Sequence, residues 1–308
     1  MTTRAAPDPC VICAGDLGFL GFRRGEPRSE TSPRYTYYVC RRCGTIQLSP
    51  MPTQEALAVL NEHSYLSGNE MERSMTPEAW ERASRTYNAS MLETVRAHGV
   101  RGPLLDFGAG YGFLCELLNK NGYACTGVEL SEERLVYCRA TNKPVQKGST
   151  EVFQQRRGAV AAVLLCAVFE HLSAHQAFLE QAKEALQEDG VIISLHPTSK
   201  TFRLLAFLFR FGMSGRELPS LAGAFAPPWH TLFISVGGMR QLAERAGLEV
   251  CDVRPAPQGR LDGGLGVIQA SLEAVNRVGW SVVGAHWPLH TSHIFVLKRK
   301  GAPAARRS

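Results

Sequence analysis

The sequence predicts an α/β protein, a parallel sheet with helices on both faces, fronted by a small zinc ribbon. Three observations predict it. Apolar strand-like runs alternate with helical runs from residue 104 to residue 196, the pattern of parallel strands joined by crossover helices. A glycine-rich turn, Gly108-Ala109-Gly110-Tyr111-Gly112, joins the first of those strands to the first of those helices. Two Cys-x-x-Cys pairs, Cys10/Cys13 and Cys40/Cys43, come before all of this.

The elements follow in order. Residues 1–48 hold the cysteine pairs, and Arg34-Tyr-Thr-Tyr-Tyr-Val-Cys40 between them reads as a strand of aromatic and β-branched residues. Each pair sits on a tight turn, and four thiolates close the shell of a tetrahedral Zn²⁺ with no open position. Such a ribbon has almost no core and is held by its metal. A redox role is the alternative, although neither pair lies at a strand-to-helix turn of thioredoxin type.

Residues 49–100 form a helical connector. Ser49-Pro-Met-Pro is a linker, Thr53 N-caps a helix over Gln54–Glu62, Ser67–Thr76 is turn-like, and a helix runs from Pro77 to Ala97.

Residues 101–300 form the main domain. Strands are expected at Leu104–Phe107, Ala124–Glu129, Pro144–Gln146, Val160–Leu165, Gly190–His196, Leu248–Val253 and Ile294–Lys298. Helices are expected at Phe113–Asn121, Glu132–Ala140, Ala174–Gln187 and Gly238–Ala246. Inserts interrupt the alternation near 198–230, with an apolar helix and a Gly/Pro-rich loop, and near 255–290, with a helix at Gly266–Asn276. Residues 301–308 are a tail.

Composition bounds the function. The chain has 308 residues, 44 % of them hydrophobic and 20 % charged, which excludes a disordered or fibrous protein. A net charge of +6 permits nucleic acid without indicating it. Arg23, Arg24, Arg28, Arg34, Arg41 and Arg42 with Tyr35, Tyr37 and Tyr38 have the residue types of a base-stacking platform. Asp8, Asp16, Glu26 and Glu30 dilute them toward a solvated basic face. Nine cysteines, an odd number with no signal peptide before them, argue against a secreted disulfide framework and for a reducing cytoplasm. Cys115, Cys125, Cys138, Cys166 and Cys251 lie on apolar stretches and read as core thiols. The apolar runs Val160–Cys166 and Phe202–Phe211 are too short to span a bilayer. The second, flanked by Arg203, Arg210 and Arg216, suits a lid on the sheet, or else a greasy substrate wall or membrane-surface contact.

The glycine turn carries the chemistry. It leaves a strand and opens a helix, where the backbone can pass close to a ligand and free N–H groups point outward. Glu129 ends the next strand, the place from which a carboxylate accepts both ribose hydroxyl hydrogens of a nucleoside. A dinucleotide fingerprint needs a third glycine where Phe113 stands, and no Gly-Lys-Ser/Thr follows to make a P-loop. Gly-x-Gly-x-Gly, with Asp106 two residues ahead, is instead the spacing of an S-adenosylmethionine (SAM) site.

Residues 104–130 resemble the SAM-binding core of class I methyltransferases, which have a Rossmann-like seven-stranded sheet. Cys166-Ala-Val-Phe-Glu170-His171-Leu172 resembles their strand-four segment, and Ala246-Gly-Leu the turn before strand six. The segment from Cys40 through Leu57 resembles the ribbon-plus-helix ahead of a bacterial group of sugar and secondary-metabolite methyltransferases. The resemblance covers residues 10 to about 298, the inserts least. It implies that Asp106 and the backbone of Gly108 and Gly110 hold the methionine end of SAM, that Glu129 binds the ribose, and that Leu130 packs on the adenine. The family often has an acid after the third strand; Gly148-Ser149-Thr150 supplies none, so Ser149 or nearby backbone would serve. The usual Asp opening strand four is replaced by Gly158-Ala. Tyr111 touches cofactor or substrate, or merely packs.

Methyl transfer needs an aligned nucleophile and removal of its proton. Ligands of open α/β sheets bind at strand carboxyl ends, which selects His171 and His196. His171 is the first candidate base, or a residue that fixes the loop. Glu170 beside it orients substrate or caps the next helix. His230, in Pro227-Pro-Trp-His-Thr, resembles the family's substrate-side loop histidine. The expected function is SAM-dependent methylation of a small hydroxylated metabolite, such as a sugar or glycoconjugate. RNA methylation through the ribbon and a degenerate, non-catalytic SAM fold are the alternatives.

Overall fold

The structure, a computed structural model, describes residues 7–24, 33–53, 55–57, 76–209, 218, 225, 227–228, 230–257 and 264–301. Three strands open the chain: β1 (Leu17–Arg24), β2 (Arg34–Cys40) and β3 (Ile46–Leu48). Helix α1 (Pro77–Ala97) follows, with Thr76 Oγ1 accepting the Ala79 N–H at 3.3 Å. Then come β4 (Pro103–Phe107), α2 (Phe113–Lys120), β5 (Ala124–Glu129), α3 (Glu132–Ala140), β6 (Val145–Lys147), α4 (Glu151–Gln155) and β7 (Val160–Cys166). A 3₁₀ turn at Phe169–His171 leads to α5 (His175–Ala185), β8 (Leu186–Pro197) and α6 (Ser199–Phe209). The chain continues with β9 (Leu232–Phe233), α7 (Val236–Arg245), β10 (Leu248–Pro255), α8 (Gly264–Val283) and β11 (Ser292–Arg299).

Seven strands form one sheet in the order β10-β11-β8-β7-β4-β5-β6. Neighbours from β8 to β6 pair in parallel, and β11 runs antiparallel between β8 and β10. The chain winds outward from β4 in both directions, so a crevice opens at the carboxyl ends of β4 and β7, where the order reverses. The fully apolar β7 explains the layering, because a strand buried on both faces has no polar side to give water. On one face Leu104, Leu164 and Ile193 meet Met91, Leu92 and Val95 of α1. On the other, Leu105, Val163 and Ile192 meet Phe153, Phe178, Leu179 and Met239.

The second sheet is antiparallel, in the order β1-β2-β3-β9. Its fourth strand comes from beyond the insert, with Ile46 opposite Phe233 and Gln47 opposite Leu232. This corrects the expectation of a ribbon with almost no core. Tyr37, Ile46 and Leu48 pack with Phe202, Leu218, Phe225 and Phe233, and Cys10, Cys13 and Cys40 join the core of the main sheet.

Other expectations shift. Strand β8 starts at Leu186 and α5 stops at Ala185, and β6 lies one residue later than expected. Helix α8 runs well past Asn276. Cys115, Cys125 and Cys138 are buried, but Cys166 is only partly so and Cys251 is exposed, so the last is no core thiol. Arg23 and Tyr37 are also buried, so they cannot belong to an exposed stacking platform. Thr53 does cap a helical turn, accepting the Ala56 N–H at 3.1 Å. The rest of the helix expected to Glu62, the turn Ser67–Met75, Arg28, Glu26, Glu30, most of the Gly/Pro-rich loop with Arg210, Phe211 and Arg216, and the tail 302–308 lie outside the described residues. No helix among the described residues is long and apolar enough to cross a membrane.

Candidate active site

Asp106, Glu129 and the glycine turn meet at the carboxyl ends of β4 and β5, where Asp106 stands opposite Gly127 and Phe107 opposite Val128. The turn is built on left-handed backbone. Gly108, Gly110 and Gly112 have φ of 72°, 58° and 74°, a region closed to most side chains. The Gly108 and Ala109 amides both donate to the Val128 carbonyl at 2.9 Å, which ties the turn to β5. A Cβ on Gly108 would lie 2.7 Å from Val168 Cγ2, so the turn also lies against the loop after β7.

Glu129 is 3 % exposed, and its carboxylate accepts three backbone amides. Oε2 accepts the Gly110 N–H at 2.8 Å, and Oε1 accepts from Leu130 N at 2.7 Å and Ser131 N at 2.9 Å. The carboxylate therefore shapes the turn and ties it to the carboxyl end of β5. Asp106 is buried, with the Cys115 thiol 3.6 Å from Oδ2. Burial pushes its carboxyl from 3.8 up to about 7, the thiol bond opposing and the Glu129 charge adding.

Tyr111 is buried against Tyr137, at 5.2 Å between ring centroids. The Arg134 guanidinium lies 5.3 Å from the Tyr111 ring and 5.3 Å from the Trp80 ring. Arg134 thus links Trp80 of α1 to Tyr111 of the glycine turn. Leu130 is 47 % exposed beside Glu129. Ser149 is joined through its amide, at 2.8 Å, and through its hydroxyl to the carboxylate of Glu151. A carboxylate does reach this position, one residue beyond the segment in which the sequence shows none.

The second half of the site follows β7. Glu170 is 3 % exposed, and burial pushes its carboxyl up to about 8. Its Oε2 is buried with no hydrogen-bond partner among the described residues. It caps no helix, because α5 has no side-chain N-cap bond. The His171 and His230 rings lie 4.9 Å apart. Ligand atoms of Glu170, His171 and His230 are all within 4.8 Å of one another. Thr231 produces this meeting: its amide and hydroxyl donate to the Glu170 carbonyl at 2.8 and 3.0 Å. The ribbon sheet secures the other side, where Tyr37 Oη donates to the His230 carbonyl at 3.0 Å and Leu48 N to the Thr231 carbonyl at 2.9 Å.

His196 is not part of this cluster. It is 1 % exposed, stacked between Phe169 and Phe295, with Nδ1 3.0 Å from Ser194 Oγ. Burial lowers it to about 3, so it is a neutral core imidazole.

The four N-terminal cysteines converge. Cys10 and Cys43 Sγ are 3.7 Å apart, and Cys13 and Cys40 Sγ 3.4 Å. Four sulfurs about 2.3 Å from one tetrahedral ion lie about 3.8 Å from each other, so the donor set fits that edge length. The Cys43 amide donates to Cys40 Sγ at 3.4 Å, and a Cβ on Gly15 would lie 3.2 Å from Cys13 and Cys40 Sγ. The hydrogen bond from Cys10 holds the Cys43 thiol below its usual value.

A family model described as a methyltransferase domain matches residues 79–253, more than half of the 308. The chain belongs to that family. It is a class I SAM-dependent methyltransferase. No curated protein matches its sequence. The 1,6-didemethyltoxoflavin-N1-methyltransferase of Burkholderia thailandensis, solved with bound 1,6-didemethyltoxoflavin and S-adenosylhomocysteine, superposes with TM-score 0.51 at 12 % identity, over 90 % of this chain and 99 % of that one. A chain from the Haloferax volcanii complex of the Trm112 methyltransferase activator with a methyltransferase gives 0.50 at 14 % identity, over 73 % and 93 %. At these identities the likeness is one of fold.

In the methyltransferase, then, Asp106, Gly108, Ala109, Gly110, Tyr111, Gly112, Glu129 and Leu130 form one group, and Glu170, His171 and His230 another. Val168 lies against Gly108 and links the two. Sequence reasoning missed Trp80, Arg134, Glu151 and Thr231, and read Tyr37 as a stacking residue rather than one that bonds the His230 carbonyl. Only Glu151 had a local signal, as the acid that opens α4 after Ser149 and Thr150.

Proposed function

We propose that this methyltransferase transfers the methyl group of SAM to a hydroxyl of a small metabolite, such as a sugar or glycoconjugate. The observation that carries the reading is the adjacency of the two groups across the crevice. A nucleoside-type site of glycine turn, Glu129 and Asp106 stands beside a carboxylate and two imidazoles, joined through Thr231. Bound SAM supplies an electrophilic methyl carbon on a sulfonium. Glu129 accepts from the ribose hydroxyls, as carboxylates at this strand end do. Asp106 faces the cationic methionine end, and the Gly108 and Gly110 backbone leaves room for it. Leu130 covers the adenine, with Ser149 and Glu151 at its polar edge. His171, His230 and Glu170 orient the acceptor hydroxyl and promote loss of its proton.

In the same proposal the four-cysteine cluster holds one structural Zn²⁺, closed to substrate. Its part in the reaction is indirect: it anchors the sheet whose Tyr37 and Leu48 secure residues 230 and 231. The burial of Arg23 and Tyr37 weighs against a ribbon that grips RNA. The test is methyl transfer from labelled SAM to a panel of hydroxylated metabolites and to RNA at low salt. Labelling of a metabolite supports the reading; labelling of RNA alone overturns it.

A further inference from the structure

We infer that Glu170, His171 and His230 form a second metal site, open to the acceptor, that holds a divalent transition-metal cation. The inference rests on the methyltransferase reading for its use, but not for its existence. Two imidazoles and one carboxylate put their ligand atoms within 4.8 Å of one another. The carboxylate is 3 % exposed, and its Oε2 has no hydrogen-bond partner among the described residues. A buried carboxyl oxygen without a partner is costly and calls for a ligand. Both imidazoles are only partly buried, so the cluster faces outward from its buried carboxylate.

The donor set selects the ion. Imidazole and carboxylate suit Zn²⁺, Mn²⁺, Fe²⁺ or Co²⁺, whereas Mg²⁺ and Ca²⁺ take oxygen. Three protein ligands leave positions open, as in catalytic rather than structural sites. The four cysteines offer the opposite chemistry, so the chain presents one closed thiolate site and one open nitrogen–oxygen site. The residues reach one point because the structure joins them there. Glu170 and His171 lie on the 3₁₀ turn after β7, and Thr231 ties His230 to that turn through the Glu170 carbonyl.

The site would take an acceptor with a hydroxyl and a neighbouring oxygen, which together fill the open positions. Coordination lowers the pKa of the hydroxyl. The hydroxyl then gives its proton to solvent, and its oxygen lone pair forms the new O–CH₃ bond. The S–CH₃ bond breaks with its electrons going to sulfur, which leaves neutral S-adenosylhomocysteine.

The experiment uses Co²⁺ on the full chain, with Zn²⁺ kept in the cysteine site. Co²⁺ should add about one equivalent per chain, with weak visible bands and no sulfur-to-metal charge transfer. His230→Gln and Glu170→Gln should lose that equivalent, at least tenfold in affinity, and keep the zinc. His230→Gln alters a partly exposed side chain, so it stays informative if Glu170→Gln does not fold. Absence of Co²⁺ uptake by the wild type, a spectrum with thiolate charge transfer, or equal uptake by His230→Gln would overturn the site. SAM titration of the same samples keeps the two readings apart. SAM binding without Co²⁺ uptake sinks the metal site alone, and Co²⁺ uptake without SAM binding sinks the cofactor assignment alone.

Discussion

Asp106→Asn should change the methyltransferase in two opposite directions. The carboxyl is 2 % exposed, and burial pushes it from 3.8 to about 7. A raised acid pKa means that the folded state prefers the proton. Below pH 3.8 both states carry it and folding loses nothing. As pH rises toward 7 the unfolded chain ionises while the folded one holds its proton, so stability falls; above 7 the loss is constant. About three units at ~1.36 kcal/mol each make that loss at most about 4 kcal/mol, and about 3 kcal/mol of it falls between pH 5 and pH 8. Asparagine does not titrate. Whatever its fixed cost, the stability of Asp106→Asn relative to wild type should therefore improve by about 3 kcal/mol from pH 5 to pH 8. Urea denaturation of both proteins at those two pH values measures it. SAM should respond the other way: its positive charges favour the ionised carboxylate, so wild-type affinity should fall about tenfold per pH unit below 7. The variant should bind weakly and lose this contribution to the pH dependence. A stability gap that stays constant between pH 5 and pH 8 would refute the buried, proton-holding Asp106.

Three further outcomes follow. Gly108→Ala places a Cβ 2.7 Å from Val168 Cγ2 at φ 72°, and should destabilise the fold by about 2–4 kcal/mol in urea. Gly122→Ala, at φ 84° with nothing within 4 Å, should cost only about 1–2 kcal/mol; equal costs would deny the close approach. Tyr37→Phe removes the bond to the His230 carbonyl and should cost about 1–3 kcal/mol with zinc content unchanged; wild-type stability would show that the ribbon does not secure residue 230. Metal analysis of Cys40→Ser should give about one zinc per chain fewer than wild type, with a lower melting temperature; unchanged values would remove the zinc assignment.

Much of the site was legible because its signals are local. Strand, glycine turn and Glu129 lie within one β-α-β unit, where alternation of periods and three glycines suffice. The cysteine pairs were legible for the same reason, since each knuckle is four residues long. Boundaries failed where exposure hid the pattern. Gln187 reads as the end of a polar helix and Glu188-Asp189 as its connection to the next strand, yet all three belong to the more exposed start of β8. The helix expected to end at Asn276 continues through Gly279, where the Trp287 ring takes the place of a side chain, 2.2 Å from where a Cβ would lie. The meeting of His230 with His171 depends on Thr231 bonding to the carbonyls of Glu170 and Leu172, and no local pattern encodes that. Nor does any announce that the strand after His230 completes the ribbon sheet, because Leu232-Phe233 is too short to show a period.

Calorimetric titration of the full chain with SAM, wild type against Glu129→Gln, tests the central claim most directly. The wild type should bind SAM and S-adenosylhomocysteine. Glu129→Gln, which loses charge-assisted bonds of about 1.5–3 kcal/mol, should bind about 10- to 100-fold more weakly. Equal affinity in the two proteins, or no binding by the wild type, would contradict the assignment of the crevice at Asp106, Gly110 and Glu129.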